Sequence, residues 1–293
     1  MHQIEYAAPG TLAAAVALLG ERRGSASILA GGTDIIVQAR EGRRRPALLL
    51  DVKKIPELTS IRTAADGGLI IGAAVPCARL CAHGDVARLY PALIEAAGLI
   101  GGTAIQSRAS LGGNLCNASP AADSIPALMA LGAVCEIAGA TGTRELPAGE
   151  MCTGPGANAL REDELLVALR LPPPVANSAA AFERFTPRNE MDIAVCNCAA
   201  GVTLSADGAT FISGRIALGA VGPTPLLAEE ASAALAGKPV TSSTIKQIAG
   251  MAAAAARPIT DMRGSAAQRR HLAEVLTRRV MERAVARAKG AQA

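Results

Sequence analysis

The sequence predicts an α+β protein in which two N-terminal α/β subdomains, a small βαβαβ unit and a larger mixed one, precede a C-terminal domain of about three antiparallel strands and helices. Three observations carry this expectation. Short apolar runs and helical stretches alternate through the first fifty residues, the pattern changes after Ile55-Pro56, and Pro172-Pro173-Pro174 followed by Val-Ala-Asn-Ser marks a linker.

The small unit spans 1–56. A strand near Ile4, a helix from Thr11 to about Leu19, a strand at 27–30, a helix from Asp34 and a strand at 48–52 follow in order. The runs ILA and ALLLDV are short and continuous, as in parallel strands covered on both faces. The second unit, 57–174, has strands at 69–72, 134–137 and 165–171, and helical stretches at 85–100 and 122–131 around a Gly-rich segment at 101–114. The C-terminal domain, 175–293, has strand-like runs at 180–185, 193–204 and 211–221, then helices starting near Pro225, Thr241 and Ser265.

A chain of 293 residues exceeds the usual size of one core, and with half its residues apolar it has material for several. No run of about 18 uncharged apolar residues suggests a membrane span. The opening MHQIEYAAPG has neither a basic nor an apolar leader region. Seven cysteines, an odd number without CxxC, read as reduced thiols of a cytoplasmic protein. Three scattered histidines offer no zinc or haem spacing. Five aromatics, three Phe and two Tyr, leave little on which nucleic-acid bases could stack. The basicity is local: Arg263 to Lys289 carries eight basic residues against two Glu, whereas the whole chain has a formal charge of +4. Its helix places Leu272, Leu276 and Val280 on one face, so the arginines are expected on a solvated face or against an acidic partner.

The strongest motif is Ile28-Leu29-Ala30-Gly31-Gly32-Thr33-Asp34, a strand ending in a Gly pair that opens a helix. Backbone N–H groups there can approach an anion such as a pyrophosphate. The alternative is a tight βα turn capped by Thr33 or Asp34, and the Asp34 carboxylate is expected to cap the helix. A second pair lies in Ser110-Leu111-Gly112-Gly113-Asn114, followed by Asn117, Ser119, Pro120 and Asp123. It could supply backbone and side-chain donors to a phosphate or ribityl chain, or be an ordinary loop. Gly154-Pro155-Gly156-Ala157-Asn158-Ala159 fits GxGxxA, but Pro155 and the lack of a preceding strand make it a turn. Gly237-Lys238 is also a turn, and Cys196 and Cys198, two apart in a strand, read as buried thiols.

ILAGGTD at 28–34, SLGGN at 110–114 with NASPAADS at 117–124, DELLVALRLPP at 163–173, FERFTPRNEMDIA at 182–194 and DMRGSAAQRRH at 261–271 occur in this order. Together they resemble the FAD-binding medium subunit of the molybdenum hydroxylases, the xanthine dehydrogenase and carbon monoxide dehydrogenase flavoprotein family. The resemblance implies an FAD pyrophosphate along Ser27, Ile28, Leu29, Ala30, Gly31, Gly32, Thr33 and Asp34, with Ser110, Leu111, Gly112, Gly113 and Asn114 as the second binding segment. It further implies that Asp123 contacts the sugar-alcohol region and that Leu166 approaches the isoalloxazine, with Val167 taking that place if the alignment slips by one. Arg184 becomes the basic residue near the flavin. Ile105-Gln106-Ser107 stands where relatives often read IRN, and Ile100 or Ile193 stands where some have an aromatic.

By the same resemblance FAD is the only redox centre of this chain, which has no catalytic residue or metal ligand of its own. The implied partners are a large molybdenum-cofactor subunit and a small subunit with two [2Fe-2S] clusters, in a heterotrimer or its dimer. Electrons would pass through FAD to NAD+, oxygen or another acceptor. Two other functions share the motifs: a free-standing FAD-dependent reductase or oxidase, and a non-catalytic nucleotide-binding assembly module.

Overall fold

The computed structural model describes residues 3–189 and 191–290. In the small unit, β1 (Glu5–Ala7), α1 (Leu12–Glu21), β2 (Ala26–Leu29), α2 (Ile35–Arg40) and β3 (Leu48–Asp51) form a parallel sheet in the order β1-β3-β2. The Thr11 hydroxyl caps α1 by accepting from Ala14 N–H, which fixes the start expected there.

The second unit contains α3 (Pro56–Thr59), β4 (Ile61–Thr63), β5 (Leu69–Gly72), α4 (Cys77–Cys81), α5 (Gly84–Leu89), α6 (Pro91–Ala97), α7 (Thr103–Gln106), α8 (Leu111–Asn117) and α9 (Ser124–Ala130). It continues through β6 (Val134–Gly139), β7 (Gly142–Pro147), β8 (Cys152–Gly154), β9 (Ala157–Asn158) and β10 (Leu165–Leu171). Its main sheet runs β4-β5-β10-β6-β7, antiparallel throughout. The single helix expected over 85–100 is two helices. Pro91 lacks an N–H and disfavours helical backbone at Tyr90, which sits at φ −134°, ψ 57° between α5 and α6. The GxGxxA look-alike is the hairpin between β8 and β9, with Gly156 at φ +71°.

The third unit is a four-stranded antiparallel sheet of β11 (Ser178–Phe185), β12 (Cys196–Leu204), β13 (Phe211–Gly219) and β14 (Leu226–Leu227), covered by α10 (Glu229–Ala233), α11 (Ser242–Ala255) and α12 (Ala266–Ala288). Where a helix was expected from Pro225, β14 pairs with β13 first and the helix begins at Glu229. Cys196 and Cys198 are fully buried on β12, and burial pushes the Cys198 thiol up to about 12. Cys198 Sγ lies 3.5 Å from the Thr277 hydroxyl of α12.

The basic helix α12 differs from the expected solvated face. Ala273, Leu276, Val280, Met281 and Ala284 pack into the third core, and several arginines fold back with them. Arg269 is buried, donating to Val195 O (2.7 Å), Ala220 O (3.0 Å) and Asp261 (2.7 Å). Arg287 reaches Ala180 O (2.9 Å) and Glu95 of α6 (2.5 Å), while Arg283 donates to Phe182 O. Glu95 also accepts the Phe182 N–H (2.7 Å), so one carboxylate of the second unit clasps both β11 and α12. Carbonyl and carboxylate acceptors on β11 and α6 outcompete water because the arginine stems bury apolar length as they reach them. Among the described residues, no helix is long and apolar enough to cross a membrane.

Candidate cofactor site

A cleft opens between the small unit and the second unit, at the carboxyl ends of the parallel strands, where open α/β sheets place ligands. Of the residues the sequence pointed to, Ser27, Ile28, Ala30, Gly31, Gly32, Thr33, Asp34, Ser110, Gly112, Gly113, Asn114 and Leu166 line it. Leu111 packs into the core of the second unit and Leu29 is buried beside Gly32, while Val167, on β10, packs into the core shared with the small unit, so Leu166 rather than Val167 reaches the cleft.

The first Gly segment turns the chain from β2 into α2. Gly32 sits at φ +80°, a left-handed conformation that other residues adopt only with strain. Gly31 lies against the loop before α8, where an added Cβ would come 2.5 Å from Arg108 O. Among the described residues the backbone N–H groups of Gly31, Gly32, Thr33 and Asp34 donate to no protein acceptor. Four consecutive free donors in a cleft are unusual, since backbone groups are nearly always paired, and they suit an anion. The helix that follows has only six residues, so these amides matter more than a helix dipole. Asp34 does not cap α2 as expected: it has helical backbone and no side-chain cap bond. Its carboxyl lines the cleft, where burial pushes it above its ordinary range against the field of Arg43.

The second Gly segment is built differently. Ser110 caps α8 by accepting from Gly113 N–H (3.1 Å), Asn114 N–H returns to Ser110 O (3.0 Å), and Gly112 N–H donates to Ala73 O (3.1 Å). An added Cβ on Gly112 would lie 2.5 Å from Ala73 O and 2.8 Å from its Cα. Gly112 therefore lets α8 press against the turn after β5, and the N–H groups of both glycines are already used. Side chains remain available: Asn114 Oδ1 accepts from Ser124 (2.7 Å), and among the described residues its Nδ2 has no protein acceptor.

Asp123 and Arg184 do not line the cleft. They form a buried ion pair (2.5 Å), and Asn197 of β12 donates to the other Asp123 oxygen (3.1 Å). Burial pushes the Asp123 carboxyl up, while the Arg184 charge and the Asn197 and Arg184 hydrogen bonds hold it down. The pair ties the third unit to the connection between α8 and α9.

Several cleft residues carried no signal of their own in the sequence. Gln38 Nε2 on α2 donates to Asn117 Oδ1 on α8 (3.2 Å), a hydrogen bond spanning the cleft. Outside the lining, Lys53 Nζ donates to Ala74 O (2.7 Å) and Arg108 O (3.3 Å), bracing the two turns that flank Gly31 and Gly112. Glu164 is held by Arg144 through 2.8 Å contacts to both carboxylate oxygens, which lowers its carboxyl below the usual range. Arg44, Asn158, Arg161 and Glu162 add to the polar lining. Only an acceptor or a wall from elsewhere in the chain gives these side chains meaning, so periodicity could not find them.

The family described as the FAD binding domain in molybdopterin dehydrogenase matches residues 2–174, and the CO dehydrogenase flavoprotein C-terminal domain matches 180–284. The xanthine dehydrogenase FAD-binding subunit of Escherichia coli is 35% identical over 286 residues, covering 97% of each chain. The carbon monoxide dehydrogenase medium chain of Afipia carboxidovorans is also 35% identical, over 97% of this chain and 98% of that one. The carbon monoxide dehydrogenase structure from Hydrogenophaga pseudoflava superposes with a TM-score of 0.92 at 33% identity, covering 98% of both chains.

Proposed function

The chain belongs to the family of FAD-binding subunits of molybdopterin dehydrogenases, and on that premise we propose that its cleft holds FAD extended between the first two units, with the pyrophosphate on the Gly31–Asp34 amides. The chain is an oxidoreductase subunit. One observation carries the placement: four consecutive backbone donors without protein acceptors line the same cleft as both Gly segments. The rest of the lining fits the group as well. Asn114 and Asn117 offer hydrogen bonds to the sugar parts, and Leu166 gives an apolar wall for the ring.

When bound, FAD supplies the exchange between one-electron and two-electron transfer. The residues of this chain bind and orient it. Asp123 and Arg184 act indirectly, holding the α8–α9 connection, and the gap between the two matched ranges supports reading 1–174 and 175–293 as the two domains. In the assembly we propose, a small subunit with two [2Fe-2S] clusters delivers electrons, a large molybdenum-cofactor subunit oxidises the organic substrate, and NAD+ or another acceptor takes the electron pair. A heterotrimer or its dimer is the expected arrangement. Relatives at the same 35% identity are named for xanthine and for carbon monoxide, which supports leaving substrate choice to the partner subunit.

The test is direct. The isolated full chain, incubated with FAD and desalted, should retain one FAD per copy with an oxidised-flavin absorption spectrum and no iron. A chain that stays colourless after incubation overturns the cofactor assignment.

A further inference from the structure

We propose that Arg44 is the cation of the phosphate site, a side-chain charge brought to the Gly31–Asp34 loop by the arginine-rich connection between α2 and β3. The inference rests on the FAD reading above.

The free amides of that loop supply dipoles but no net charge, and a bound pyrophosphate is an anion. The ionisable side chains lining the cleft include three carboxylates, Asp34, Glu162 and Glu164, and two cations, Arg44 and Arg161. Glu164 is matched by Arg144, and Arg161 lies 3.9 Å from the same carboxylate. Among the described residues Arg44 makes no ion pair and no side-chain hydrogen bond. Its neighbour Arg43 is occupied by Glu41.

The backbone explains how Arg44 reaches the cleft. Glu41 and Gly42 N–H groups close the end of α2 onto Val37 O and Ala39 O, and Gly42 at φ +73° reverses the chain. Arg44 N–H then donates to Gln38 O (3.2 Å), pinning the connection alongside the residue whose side chain spans the cleft to Asn117. Arg44 lines the same cleft as Gly31, Gly32, Thr33 and Asp34, so this connection borders the anion loop. Arg45 is exposed on the same connection but does not line the cleft, which makes it a matched control.

Flavin affinity of the deflavinated full chain should be measured for wild type, Arg44→Gln and Arg45→Gln, using FAD and riboflavin, which carries no phosphate. Arg44→Gln should weaken FAD about fivefold at low salt, the scale of an exposed charge pair, and the gap should close as ionic strength rises. Riboflavin affinity should not change, and Arg45→Gln should leave FAD affinity within about twofold of wild type. Equal losses in both arginine variants, an unchanged Arg44→Gln protein, or equal loss of riboflavin and FAD would each overturn the assignment. Failure of the wild-type chain to bind FAD overturns the underlying cofactor reading, and this inference with it.

Discussion

The two Gly pairs look alike in sequence and put their N–H groups to opposite uses in the structure. At Gly31-Gly32 the backbone is turned outward with four free N–H groups, whereas at Gly112-Gly113 the N–H groups are consumed by Ala73 and Ser110. The first pair creates a surface that can bind, and the second creates contact between α8 and the turn after β5 on which that surface depends. A glycine beside a ligand therefore has two distinct uses, donor exposure and close packing, and Gly31, with a free N–H and its Cα pressed against Arg108 O, combines them.

The contrast breaks most visibly at Gly112. An alanine there meets Ala73 backbone that cannot simply rotate away, so Gly112→Ala should lose about 3 kcal/mol of stability, and FAD with it. Calorimetry and flavin content should fall together; a normal melting temperature with lost flavin would show that Gly112 contacts the ligand directly. Gly32→Ala should behave the other way round. Its left-handed backbone costs about 1 kcal/mol, since only Ile36 and Leu29 side chains crowd the new methyl. Disturbing charge-assisted N–H contacts should cost FAD affinity about tenfold or more. If melting drops while affinity holds, the loop is only a turn.

A smaller effect is expected at Asp34. Because burial raises its carboxyl in the folded chain, it is more readily protonated there than when unfolded. Stability from this group is thus greatest at acid pH and declines as pH rises through the folded value. Asp34→Asn should remove that decline and tighten FAD about threefold at neutral pH by deleting a like charge beside the phosphates. Unaltered affinity and an unaltered pH–melting curve would place the carboxylate away from the anion. Least of all should change in Gly154→Ala, where the added methyl makes only an ordinary 3.8 Å contact with Ala157, for an expected shift under about 0.5 kcal/mol and full flavin retention.

Local patterns made the small unit legible: strand runs, the Thr11 cap and the Gly turn all act within a few residues. The break at Tyr90 was also written locally, in Pro91, yet apolar periodicity running through it suggested one helix. What the sequence could not display were partners far along the chain. Ala73 as acceptor for Gly112, Asn117 for Gln38 and Glu95 for Arg287 lie 39, 79 and 192 residues away. That is why a run of arginines read as a solvated face became a set of internal ties, and why the Asp123–Arg184 ion pair, between residues 61 apart, left no local signal.

The Glu95 clasp also orders events during synthesis. Every residue lining the cleft lies before Pro172, so both walls can form while the third unit is still being made, domains generally folding as units from the N-terminus. Arg283 and Arg287 follow every cleft residue along the chain, and until they emerge Glu95 and the edge of β11 lack these arginine partners. This part of the docking of the third unit onto the second thus follows completion of the cleft, and a truncation that removes the last two turns of α12 would leave a finished cleft attached to a less firmly held domain.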